Sequence, residues 1–326
     1  MWKTFLIWMV AGCLLSGCSG DQTTYKVGAF YPADERFWEV VPRDSYMERI
    51  GIGFEFTEGP VWHRGGYLLF TDIPAGHIYK WTGNRFSILN DSSNQANGLL
   101  VEPGGALLAC EHQTRCLARY TPSGEREVLA DRYSGRRLNS PNDLCRSYTG
   151  TLYFTDPPWG LPARNEDPEK ELPYNGVFML RNGNLTLVDS TLSWPNGIGL
   201  SPDDQYLYVA NMEMAQTGED TLIEVFWLRY QLDETGRPVG KEVFYRAEDP
   251  TLPGGPDGMT VDQSGNLFVT GPGGILVLDP EGNLLGTIEP PIPATNLTFG
   301  PRGKELFITA RSTVYRVVLD QGKRLN

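Results

Sequence analysis

Six segments of this 326-residue chain repeat one pattern, and each opens on a side chain that can offer oxygen to a metal. They are Glu58-Gly-Pro-Val-Trp, Asn97-Gly-Leu-Leu-Val, Asn142-Asp-Leu-Cys-Arg, Asn196-Gly-Ile-Gly-Leu, Asp257-Gly-Met-Thr-Val and Asn296-Leu-Thr-Phe-Gly. A turn follows each opener, as in Arg64-Gly-Gly or Pro202-Asp-Asp, and then a second apolar run, as in Tyr67-Leu-Leu-Phe or Tyr206-Leu-Tyr-Val. The openers stand 39, 45, 54, 61 and 39 positions apart. Repeats of that length built from short strands specify an all-β fold, a six-bladed β-propeller with one four-stranded blade per repeat. A closed ring would carry all six openers to one axis, which makes that axis the expected functional site.

The bulk properties agree. A hydrophobic content of 40% is ordinary for a globular core, and 37 Gly and 24 Pro supply the turns. Strand-forming runs bounded by turn residues dominate from about Phe54 onward. The net charge of −12 argues against a nucleic-acid partner, because phosphate contacts need a basic surface. On its own the acidity indicates a well-solvated surface rather than metal binding.

The first eighteen residues have the form of an export signal, with Lys3, an apolar stretch from Phe5 to Leu15 and small residues before Cys18. That stretch is too short to span a bilayer comfortably. Leu15-Ser16-Gly17-Cys18 resembles a bacterial lipobox. The resemblance implies lipidation of Cys18 and a membrane attachment through that lipid alone, and Ser19 favours the outer membrane in a Gram-negative cell. Simple secretion is the alternative. Residues 19–34 are expected to be a tether, and 35–326 the propeller. Blade six has room for three strands before the chain ends, so a strand near Phe37–Val41 is expected to complete it. Cys110 and Cys116 flank a strand-to-strand loop and could be bonded or free after export. Two long insertions, 160–174 and 212–220, could cover one mouth of the channel or be plain surface excursions.

Glu58 and Asp257 are carboxylates; Asn97, Asn142, Asn196 and Asn296 are amides. Hard cations such as Ca²⁺, Mg²⁺ or Mn²⁺ take such oxygens, whereas Zn²⁺ prefers His and Cys. The structural alternative is that Asn, Asp and Glu before Gly merely form turns. A metal site of this composition would suit ester or lactone hydrolysis, the ion polarising a carbonyl and a carboxylate accepting a proton. The chain has no Gly-x-Ser-x-Gly, P-loop or dinucleotide fingerprint, and its three histidines show no metal spacing. His112, beside Glu111, is a minor candidate for the channel mouth.

Together these residues resemble the gluconolactonase, regucalcin (senescence marker protein) and luciferin-regenerating-enzyme family. The resemblance is carried by Thr57-Glu58-Gly59-Pro60-Val61-Trp62, by Arg137-Leu138-Asn139-Ser140-Pro141-Asn142-Asp143-Leu144 and by Tyr153-Phe154-Thr155-Asp156-Pro157-Pro158. Pro195-Asn196-Gly197-Ile198 and Pro256-Asp257-Gly258-Met259 complete it. It covers Phe54 to Thr309 and is nearest the bacterial gluconolactonase branch. It implies one divalent metal at the channel mouth, Ca²⁺ first and Mg²⁺, Mn²⁺ or Zn²⁺ as other occupants, on Glu58, Asn196 and Asp257. It makes Asp257 the catalytic carboxylate, Asn142 a contact of metal or substrate and Asp156 a contact of a small lactone substrate; Asn97, as an opener, and His112, from its place at the channel mouth, are the further candidate substrate contacts. Ser140 stands where some animal members carry Arg, so substrate contacts differ there. Other readings are an organophosphate or aryl-ester hydrolase of the same fold, a strictosidine-synthase-like condensing enzyme, and a catalytically silent propeller that binds a sugar or a partner protein.

Overall fold

The structure is a computed structural model that describes residues 26–214 and 221–320. The export signal, Cys18 and the greater part of the second insertion lie outside the described residues.

The described chain is nearly all-β and of propeller type, built from four-stranded antiparallel units whose strands follow one another in sequence. One unit comprises Ala96–Val101, Leu107–Glu111, Cys116–Tyr120 and Arg126–Ala130. The next comprises Leu144–Arg146, Leu152–Asp156, Asn175–Arg181 and Asn184–Leu192. Pro195–Leu200, Tyr206–Met214, Leu222–Leu232 and Pro238–Arg246 follow, then Met259–Val261, Leu267–Gly271, Gly274–Leu278 and Leu284–Glu289.

The two ends of the chain meet in a seven-stranded sheet, where two long strands each change partner midway. Glu305–Val318 pairs first with Asn296–Phe299 and then, past a register shift at Arg311–Thr313, with the start of Tyr46–His63. Tyr46–His63 pairs there through Tyr46↔Val318 to Ile52↔Thr313, and then through its second half with Tyr67–Asp72. An N-terminal strand thus supplies the outer edge of the last unit, as expected, but from Tyr46–Ile52. The segment expected to do so, Phe37–Val40, is a short helix. Its aromatic and β-branched residues have strand-forming content. Phe37 and Val41 lie four apart, bonded from the Val41 N–H to the Phe37 carbonyl at 2.7 Å, and both are fully buried. That spacing is the helical period. The stretch expected to be a tether is docked from Lys26 onward, with Lys26–Val27 on Tyr46–His63 and Ala29–Pro32 on Leu284–Glu289.

Among the described residues, six hydrophobic clusters each join two neighbouring units. Leu69 and Ile78 meet Ala96 and Ala109; Leu108 and Leu117 meet Phe154 and Phe178; Val177 and Met179 meet Val209 and Leu228. Ala210 and Trp227 meet Leu267 and Val269; Phe268 and Ile275 meet Leu297 and Ile308; Phe307 and Val314 meet Leu68 and Phe70. Each sheet hides both faces against the next, which is why its strands carry apolar runs rather than clean alternation. Cys110, Cys116 and Cys145 are free thiols.

Candidate functional site

Asn97, Asn196 and Asn296 sit at the start of the first strand of their units, Asn142 and Asp257 two residues before theirs, and Glu58 where Tyr46–His63 begins to pair with Tyr67–Asp72. Antiparallel pairing brings the end of each second strand to the same side, as in Pro195↔Asn211 and Ala96↔Glu111. Hydrogen bonds then lace opener to opener. The Thr71 hydroxyl donates to the Asn97 carbonyl (3.1 Å), Gly98 N to Asn142 O (2.8 Å) and the Thr155 hydroxyl to Asn196 O (2.7 Å). Gly197 N donates to Asp257 O (2.9 Å), Gly258 N to Thr295 O (2.8 Å), and the Thr295 hydroxyl to Thr57 O (2.7 Å). Each step joins one unit to the next, and the last joins the sixth opener region to the first.

This crowding explains the glycine after four of the openers. A Cβ on Gly59 would lie 2.0 Å from the Asn97 carbonyl oxygen, and one on Gly197 2.0 Å from that of Asp257. The backbones meet where side chains cannot fit, so these glycines serve close approach as well as turning.

The three expected metal ligands come together. The Glu58 and Asp257 carboxyls are near enough to shift each other's titration, and the Asn196 amide acts on Asp257 in the opposite sense. The Asn196 Oδ1 is left buried without a hydrogen-bond partner among the described residues. On the other side, Asn296 Nδ2 donates to Glu58 Oε2 (3.1 Å) and reaches Asp143 Oδ2 (3.5 Å). Burial, opposed by the Gly59 N–H and reinforced by the Asp143 charge, pushes Glu58 up to about 7. Burial also raises Asp143 to about 6, and burial with the charges of Glu58 and Asp143 drives Asp257 well above the carboxylate range. Carboxylates crowded out of water in this way favour a cation among them. Among the described residues no three His, Cys, Asp or Glu side chains form a metal cluster by themselves. The donor set mixes carboxylate with amide oxygen, which suits a hard cation of the Ca²⁺ type, and the unpartnered Asn196 Oδ1 fits that role.

Asn142 is buried at the axis and held through its backbone, its N–H donating to Thr155 O (2.9 Å). Asn97 Nδ2 faces His112 Nε2 at 3.4 Å. Burial pushes His112 down to about 4, so the ring is neutral near pH 7, and Nε2 is the acceptor if the amide donates. The Asp156 side chain is fully buried, its Oδ2 accepting from Asn139 N at 2.8 Å. Ser140 ties down the first insertion: its hydroxyl donates to Pro157 O (2.6 Å) and accepts from Gly160 N (2.9 Å). That insertion rises from the opener side and is docked by Arg115 Nη1 on Glu169 O (2.8 Å). The start of the second, Met212–Met214, continues its strand. Asp143 is the site residue that sequence reasoning passed over. It was visible as the one opener neighbour that is charged where four others are glycine.

Asp156 carries a pH prediction. Burial raises it from 3.8 to about 7 against the pull of the Asn139 and Ser140 N–H groups, Arg115 and Lys170. A carboxyl raised on folding contributes stability that is present below its unfolded pKa and lost as pH climbs through the folded value. Thermal melting of metal-free protein should therefore occur at higher temperature at pH 5 than at pH 8, and Asp156→Asn should narrow the gap. An unchanged gap in the variant would remove Asp156 from this role.

Residues 56–312 match the SMP-30/Gluconolactonase/LRE-like region. A gluconolactonase of Zymomonas mobilis is 39% identical over 318 residues, covering 90% of this chain and 86% of that protein. A pentonolactonase of Haloferax volcanii is 29% identical, covering 77% and 80%. The solved gluconolactonase of Xanthomonas campestris superposes with a TM-score of 0.79 at 30% identity, over 91% of this chain and 97% of that one. With the family region covering most of its length, this chain belongs to the SMP-30/gluconolactonase/LRE-like family.

Proposed function

We propose that this protein is a closed six-bladed propeller that hydrolyses a sugar-acid lactone, with glucono-1,5-lactone as the leading substrate. The observation that carries the reading is the connected axial set Asn196, Asp257, Glu58, Asn296 and Asp143, with an amide oxygen left unpartnered inside it. The gluconolactonase relative supplies the substrate class.

Glu58, Asn196 and Asp257 hold one divalent ion, Ca²⁺ first. When bound, such an ion polarises the lactone carbonyl and stabilises the oxyanion that develops on it. Asp257 is the base because it alone of these three retains exposed surface, whereas Glu58 and Asn196 are buried. It takes a proton from the water that adds to the carbonyl carbon. When the ring C–O bond breaks, it returns that proton to the leaving ring oxygen, so the sugar acid is released with a free hydroxyl. Asn196 donates to Asp257 and steadies its charged form, and Asn142 and Asn97 orient the substrate hydroxyls. Export and anchoring through a lipid on Cys18 are part of this proposal and rest on residues 1–18.

The test is acid release from glucono-1,5-lactone by protein lacking residues 1–18. Chelator should abolish turnover, and adding back Ca²⁺, Mn²⁺, Mg²⁺ or Zn²⁺ should restore it with the usable ion. Hydrolysis confined to aryl esters or organophosphates would replace the substrate class. Folded, ion-binding protein without any hydrolysis would leave a binding propeller.

A further inference from the structure

We infer that Trp159 and Trp194 form a stacking wall for the substrate's sugar ring; this rests on the lactonase reading and names what selects its substrate. The two indoles face each other with centroids 4.5 Å apart and planes tilted 35°. Trp194 stands two residues before Asn196, and Trp159 three residues after Asp156, so both come from the opener side of adjacent units. Both remain partly exposed, unlike the core indole of Trp227.

The surroundings hold them rigidly. Trp194 N donates to Asn211 Oδ1 (2.9 Å), and the preceding Ser193 O accepts from Asn175 Nδ2 (2.6 Å). Trp159 lies between Pro157 and Gly160, the two residues that Ser140 bonds. Gly160 fits so tightly that a Cβ there would come within 2.7 Å of the His112 Cβ and 2.8 Å of the Ser140 Cβ. Arg164 places its guanidinium 4.9 Å from the Trp159 ring centre. The Trp159 Nε1–H is buried and has no acceptor among the described residues, although buried indole N–H groups normally find one.

A pair of large rings kept partly in water and held through backbone bonds to the buried Asn211, Asn175 and Ser140 has the character of a ligand wall rather than a core contact. A pyranose lactone is amphipathic in the matching way, with C–H groups on its faces and hydroxyls around its rim. The partly exposed Trp194 takes the C–H surface, Trp159, stacked behind it and covered by Arg164, holds it in place, and the Asn97 and Asn142 amides take hydroxyls. Lactone rings with flat, all-equatorial substitution, such as the glucono form, are favoured over rings whose axial hydroxyls roughen a face.

The experiment compares wild type with Trp159→Ala, Trp159→Phe, Trp194→Ala and Trp194→Phe by steady-state kinetics on glucono-1,5-lactone. It also follows the indole N–H resonances of wild type as gluconate, the product, is titrated in. Each alanine variant should raise KM about tenfold or more with kcat changed by less than about threefold, and each phenylalanine variant should recover most of the loss. Both indole resonances should move saturably with gluconate. Wild-type KM in the alanine variants, equal losses for phenylalanine and alanine, or indole resonances that ignore gluconate would each overturn the wall. Wild-type protein that hydrolyses no lactone would overturn the lactonase reading instead, and the gluconate titration would then decide the wall alone.

Discussion

Asp257→Asn should lower kcat for lactone hydrolysis by about 10³-fold while the protein still folds and still binds its ion. The amide keeps an oxygen for the cation and nearly the same volume, so the change isolates the proton-accepting role, and general bases typically contribute about 10²- to 10⁴-fold. The position is what singles this residue out. Its N–H is fixed by the Thr270 hydroxyl at 2.9 Å, and its carbonyl is clamped by Gly197 N at 2.9 Å. Its carboxyl is grouped with Glu58 and Asn196, and the residue is not wholly buried. Rates of acid release, melting temperature and a Ca²⁺ titration on the same preparation would check it. A variant that binds the ion and retains a tenth or more of wild-type kcat would mean that another group accepts the proton.

Gly197→Ala should be nearly as damaging to activity without touching any reacting group. The added Cβ would sit 2.0 Å from the Asp257 carbonyl oxygen, 2.9 Å from the Gly258 Cα and 3.0 Å from the Asp257 carbonyl carbon. All three are backbone atoms, so no rotamer can relieve the clash and the two inner strands must part. Overpacking of this kind costs about 1–3 kcal/mol, and it displaces Asp257 relative to Asn196, where about 1 Å can cost about 10²-fold in rate. The expected result is a loss of about 10²-fold or more in kcat/KM with a melting temperature lower by several degrees. Gly104→Ala is the control, since a Cβ there meets nothing within 4 Å and its φ is not left-handed. If Gly197→Ala behaves like Gly104→Ala, the axis is more yielding than the glycine contacts imply.

These two positions also show how far local pattern reaches. The opener–glycine pairs were legible because they recur in four of the six repeats. The glycine is small enough for two inner strands to meet, and the opener carries an oxygen toward the axis. The partners of each opener were not legible. Glu58 and Asn296 are 238 positions apart and touch only because the strand from Tyr46 pairs with the last strand of the chain. Which N-terminal segment would do this could not be read from aromatic and β-branched content. Phe37–Val40 has that content and is helical, because Phe37 and Val41 are buried together four residues apart. The phrase Phe-Thr-Asp pointed to Asp156 but not to its partner, the Asn139 N–H 17 positions away, which donates to its buried carboxyl at 2.8 Å. Asp143 drew no notice beside Asn142, yet its charge, with that of Glu58, helps to raise Asp257.

The sequence by itself determined the repeat, its strands and turns, the oxygen-bearing residue that begins each unit and the family to which the chain bears its likeness. These depend on spacing and residue type along a few consecutive positions, where period and turn chemistry act. Only the tertiary structure decided which openers meet, which carboxylates are pushed toward neutrality and which insertion is pinned beside the site. Burial and charge act through space, and the residues that set them are brought together by chain pairing across the whole length of the protein.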